Sequence, residues 1–119
     1  MILDTTLKLE AVLAGAVAAN QPEVHVFYTD WNASGEQTPP APFRVALNSG
    51  TDVTILAAPV ANPIRQIEEI HIYNKDTSSV TVTVKTDDGT TERILFKGVV
   101  ATLKSLCWSP NTGWYLTTA

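Results

Sequence analysis

This chain of 119 residues has little of what most chemistry needs. It holds one cysteine, Cys107, which excludes an intrachain disulfide framework and a cysteine-rich zinc site. Between Leu106 and Trp108 that cysteine reads as a small buried hydrophobe. Histidine is nearly absent too. His25 and His71 each sit between apolar neighbours, and only Glu69 shares a strand face with His71, short of a converging ligand set. Positive charge is scarce, with 8 Lys and Arg against 12 Asp and Glu and no basic cluster, which argues against duplex nucleic-acid binding. Long apolar runs are missing. Leu9 to Ala19 is broken by Glu10 and Gly15, well short of the ~18–20 residues a membrane helix needs. Met1-Ile2-Leu3-Asp4 has no basic region, so no standard secretory signal is expected.

Catalytic motifs are also lacking. No Gly-x-Ser-x-Gly, His-Glu-x-x-His, phosphate loop or dinucleotide fingerprint occurs. Glu68 and Glu69 are adjacent, so a strand sends them to opposite faces and they cannot work as a catalytic pair. Asp87-Asp88 fits a hairpin tip, and a calcium loop would need more oxygen ligands at fixed spacing. Asn32-Ala33-Ser34 is a sequon only formally, without a secretory context. The expectation is no enzyme, no cofactor and no metal site.

What is abundant is β-branched: 16 Thr, 12 Val and 7 Ile, or 35 of the 119 residues. Such side chains suit a pleated, half-buried surface. With 45% hydrophobic and 17% charged residues the chain can bury a core and is not disordered. Leu3 to Asn20 has helical composition, yet Leu7, Leu9 and Ala11 alternate with Lys8, Glu10 and Val12, which favours a strand from Leu7 to Leu13. Glu23 to Trp31 reads as a strand, and Asn32 to Pro42 as a loop because Pro39, Pro40 and Pro42 remove donors. Phe43–Leu47, Val53–Ala57, Gln66–Tyr73, Ser79–Thr86, Thr91–Lys97, Val100–Trp108 and Gly113–Thr117 follow as strands, with an antiparallel meander expected in the second half. Gly89 supplies the positive φ for a hairpin after Asp87-Asp88. About eight or nine strands are too many for one flat sheet with protected edges. An all-β, antiparallel sandwich or jelly roll is expected, as one domain over residues 1–119, with residues 1–9 as an N-terminal arm and 32–42 as a Pro-rich loop.

Several stretches resemble a family of small structural proteins of tailed bacteriophages. They are Lys8 to Val17, Asn20-Gln21, Val24 to Asp30, Asn48 to Thr51 with Val53 to Pro59, Arg65 to Thr86 including Ile72-Tyr73-Asn74-Lys75-Asp76, and Leu95 to Leu116 with Thr102-Leu103, Trp108 and Gly113-Trp114. The resemblance implies a non-enzymatic virion component, assembled in the host bacterial cytoplasm. It implies self-association, with a homotrimer expected, and binding to the major capsid protein or another virion protein. A capsid decoration (cement) protein is the leading expectation, and a tail, neck or head-fibre component the alternative. Neither nucleic acid nor membrane is an expected partner. The sparsely patterned segments Met1–Leu9 and Trp31–Phe43 supply the expected contacts Ile2, Leu3, Leu7, Trp31, Pro39, Pro40 and Phe43, joined by Tyr28 at the flank of the Pro-rich loop. A different class, a carbohydrate-binding module, would use Trp31, Trp108 or Trp114 as stacking platforms.

Overall fold

A computed structural model describes residues 1–117. Among them the chain forms ten strands and no helix: β1 Ile2–Asp4, β2 Lys8–Leu13, β3 Glu23–Trp31, β4 Ala41–Ala46, β5 Val53–Leu56, β6 Ile64–Tyr73, β7 Val80–Asp87, β8 Glu92–Val100, β9 Ser105–Ser109 and β10 Gly113–Leu116. One sheet has the order β10-β9-β6-β3-β4, with β1 also on β6; the other runs β5-β2-β7-β8. All pairings are antiparallel. The two sheets enclose one apolar core that includes Leu9, Val26, Ile55, Ile70, Ile72, Val82, Val84 and Leu106, so the architecture is the expected β-sandwich.

The period-2 reading of β2 holds, and the helical composition of Leu3 to Asn20 does not prevail. A strand there buries Leu9, Ala11 and Leu13 against the facing sheet, which outweighs a weak local preference. Three sequence expectations are corrected. Residues 1–9 are no free arm: β1 pairs Ile2, Leu3 and Asp4 with Gln66, Arg65 and Ile64 and drives Leu3 fully into the core. The fourth strand begins at Ala41 and contains Pro42 opposite Phe27; it is an edge strand, where a missing N–H costs least. The second half is not a meander. The hairpins β7–β8 and β9–β10 lie in different sheets, and the chain crosses between sheets after β6 and after β8. The run Val100 to Trp108 is accordingly broken at Ala101–Lys104, where Leu103 takes φ 61°. The expected positive φ at Gly89 is present, at 91°.

Two polar networks replace apolar packing where the chain crosses or ends. Asn74 is fully buried; its side-chain amide donates to the carbonyls of Ser78 and Val100, while its Oδ1 accepts from the N–H of Asp76. Asp76 in turn accepts from the N–H groups of Ala18, Ala19 and Asn20 at 2.7–3.0 Å. Those donors, Asn20 foremost and then Ala18 and Ala19, hold its carboxyl down at about 2 against the opposing effect of burial. The Leu103 N–H donates to the Asn74 carbonyl and the Thr102 hydroxyl to that of Asp76, so the unusual Leu103 backbone is fixed from outside its own turn. Elsewhere, the Arg65 guanidinium grips Asp30 through two bonds of 2.8 and 3.1 Å, donates to the Ala57 carbonyl, and stacks 4.4 Å from the Tyr28 ring centre. The Arg65 bond, with Asn62, holds the Asp30 carboxyl below its ordinary value.

Candidate interaction surface

Residues opposite one another in neighbouring strands share a sheet face. Val24, Val26, Ile70, Ile72 and Leu106 fix the inner face of the six-stranded sheet. The alternate positions form its outer face: Glu23, His25, Phe27, Thr29 and Trp31 of β3, Glu69, His71 and Tyr73 of β6, Pro42 and Arg44 of β4, Cys107 of β9 and Tyr115 of β10. A register slip between Phe27 and Tyr28, where Glu68 is the extra residue on β6, turns Ile67 inward alongside Ile70 and Ile72. The same slip leaves Ile64 and Gln66 on the outer face beside Trp31 and Ile2.

An outward sheet face is ordinarily polar. Here it carries aromatic and imidazole rings across its centre. His25 stacks on Phe27 with ring centres 4.5 Å apart. His71 lies directly opposite His25 on the neighbouring strand, and Arg44 opposite it on the other side. Arg44 Nε donates to His25 Nε2 at 3.1 Å. His25, His71 and Arg44 line a groove of about 530 Å³ with Glu23, Ala46 and Tyr73. Glu23 is tied to Lys75 at 2.7 Å. At the other end Trp31 Nε1 donates to Gln66 Oε1 at 2.9 Å, which orients the indole along the sheet. Cys107 is buried, and burial pushes its thiol up, away from reactivity.

The residues expected to make contacts divide. Ile2, 58% exposed, and Trp31 join the outer face. Pro39, Pro40 and Phe43 are exposed along the β4 edge. Leu3 lies wholly in the core, Leu7 packs against it half-buried, and Tyr28 lies under Arg65 on the inner face; these three serve the fold. His25, Phe27, His71 and Tyr73 were not among the expected contacts. Their signal was present in Val24-His25-Val26-Phe27, where both faces of one strand lack the Thr and Lys that mark a wet surface.

The edges differ as well. β4 carries Pro42 after Pro39 and Pro40, and β5 has only four residues. Such features block pairing with another chain. The nine-residue β8 has no proline and exposes Ile94, Leu95 and Val99, with Leu103 in the following turn; Leu95 is the extra residue of a bulge against β7. Phe96 of β8 stacks on Trp114 of β10 at 5.4 Å, so these two edges close the same side of the sandwich. The Phe96 ring lies over Gly98, where a Cβ would stand 2.9 Å from it. Trp114 also meets Trp108 at 6.4 Å, and both pack half-buried against the core. Trp31 lies on the opposite face of the sheet from these two.

Compared with known proteins, the chain matches no family model, no curated protein and no solved structure.

Proposed function

We propose that this protein is a structural component of a tailed-bacteriophage particle, working by self-association and by docking on another virion protein rather than by catalysis. In its most specific form it is a capsid decoration protein, a homotrimer that bridges neighbouring major capsid subunits. One observation carries the docking half of this reading: the ring-lined outer face of the six-stranded sheet, with Phe27, Trp31, His71 and Tyr73 half-buried and Ile2 exposed beside them. A protein interface of ordinary size has such a centre of aromatic residues with a polar rim, here Arg44 and Glu23. The particle itself is suggested by the resemblance of Lys8 to Val17 and Ile72 to Asp76 to the phage family. Repetition on a symmetric shell would multiply a modest interface, because each further contact is intramolecular once the first has formed.

Light scattering on the purified protein, with cosedimentation on shells that lack it, tests the reading. A trimer that binds such shells supports it. A strict monomer at high concentration that binds no shell defeats it. Copy number per particle separates the alternatives: hundreds of copies mean decoration, about a dozen mean tail, neck or head fibre.

A further inference from the structure

The outer face of the four-stranded sheet holds a different kind of group. Glu10 stands at the middle of β2, opposite Thr54 of β5 on one side and Lys85 of β7 on the other. Asp87 pairs with Lys8 and, across the β7–β8 ladder, with Glu92. The pleat therefore sends the carboxylates of three strands to one spot. One oxygen from each of Glu10, Asp87 and Glu92 lies within 4.8 Å of the others.

Glu10 is unusual for an outward residue, being only 5% exposed. Its Oε2 faces Lys8 Nζ at 3.3 Å, whereas Oε1 is buried and accepts no hydrogen bond. A buried carboxylate oxygen without a partner is costly and calls for a compensating positive group. The ammonium groups already there fall short. Glu10, Asp52, Asp87 and Glu92 bring four negative charges, and Lys8 and Lys85 bring two positive ones. The balance is −2 over this patch, half of the −4 carried by the whole chain.

We propose that Glu10, Asp87 and Glu92 form a binding site for a divalent, oxygen-preferring cation of the calcium type, clamped across β2, β7 and β8. A calcium ion holds its oxygens at about 2.3–2.6 Å, so ligands on opposite sides of it stand roughly 4.6–5.2 Å apart. The three oxygens all lie within 4.8 Å of one another, close enough for one such ion to reach each of them. Magnesium, which demands near-ideal octahedral geometry and gives up its water reluctantly, is the weaker candidate. The orphan Oε1 becomes a ligand, and the two uncompensated charges are matched by one ion. Lys8, with 39% of its side chain exposed, swings into solvent as the ion enters. Lys85, now paired with both Glu92 and Asp52, gives up Glu92 to the ion and stays with Asp52, 3.0 Å away. Because an ammonium must be displaced, affinity falls at the weak end of protein calcium sites, with Kd about 10⁻⁴–10⁻³ M.

The test is calorimetric titration of EDTA-treated, dialysed protein with calcium chloride, beside thermal melts at the same concentrations. One ion per chain is expected, with a Tm that rises as calcium exceeds Kd. Glu92→Gln, at a half-exposed position that leaves the fold intact, weakens binding at least about tenfold, and Glu10→Gln does the same if circular dichroism shows it folded. Lys8→Ala tightens binding several-fold by removing the competing ammonium. No saturable binding up to about 10 mM calcium would overturn the site. So would an affinity left unchanged by Glu92→Gln.

Discussion

The two outer faces of the sandwich follow the same strand geometry and reach opposite surfaces. On the four-stranded sheet, Thr81, Thr83, Lys85, Lys8 and Asp87 occupy the outward positions, and charges pair with one another across strands. On the six-stranded sheet, the same positions hold His25, Phe27, Trp31, His71, Tyr73 and Tyr115. A sheet needs only one apolar face to fold. The second ring-rich face is thus surplus to folding, whereas the other face pairs its charges across β2 and β7 and carries its exposed apolar side chains along β8, at Ile94 and Val99. The difference teaches where to look for a partner.

Four sets of substitutions would break or sharpen that contrast. The largest effect belongs to Asp76→Ala. It removes the acceptor of three N–H groups in the segment after β2, and with it the tie that lets the chain cross between the sheets. Both faces should be lost together, with Tm falling by more than about 10 °C in a calorimetric scan. The carboxyl sits at about 2 when folded, against 3.8 for a free aspartate. Its contribution is therefore complete above about pH 4 and is lost as pH falls toward 2, and Asp76→Asn should flatten that acid limb of a stability–pH curve.

Next comes Leu3→Ala, which should cost about 3 kcal/mol in chemical denaturation because it empties a fully buried site. Ile2→Ala, one residue away on the outer face, should change stability by less than about 0.5 kcal/mol. Equal effects for the pair would mean that β1 is not seated. Smaller in energy, but decisive for function, is Phe27→Glu against Thr83→Glu. The first should weaken association about 30-fold by sedimentation or light scattering, as loss of a central interface ring does, and the second should leave it unchanged. Least affected is the ion-paired face itself. Lys85 is held up at about 12 by Glu92 and then Asp52, yet both partners are well exposed, so Lys85→Met should shift stability by no more than about 1 kcal/mol.

How far the sequence could be read depended on the range of the determining contacts. β2, β3, β6 and β7 were legible because their period-2 alternation is local, and β3 has the expected limits, Glu23 and Trp31. β1 was not legible: three residues carry no period, and Leu3 is core only because β6 lies 60 positions further on. The break at Leu103 was hidden within an apolar run, since Asn74 and Asp76 impose it. The outer-face rings could be suspected one strand at a time. Their assembly into a surface required the β3–β6 register and its slip at Glu68. The carboxylates of Glu10, Asp87 and Glu92 lie up to 82 positions apart, and no spacing rule links them.

The pairing order has a consequence for how the molecule comes into being. β3 has β6 on one flank and β2 has β7, so neither sheet can be completed by the first 63 residues. During synthesis that half can form only the β3–β4 hairpin and the β2–β5 pair, each with an apolar side bare. Long-range strand pairing of this kind is slow and leaves sticky intermediates. The nascent chain has its most dangerous moment just before Ile64 to Tyr73 leaves the ribosome, and a stop or a damaged codon in that window should yield aggregate rather than a smaller folded protein.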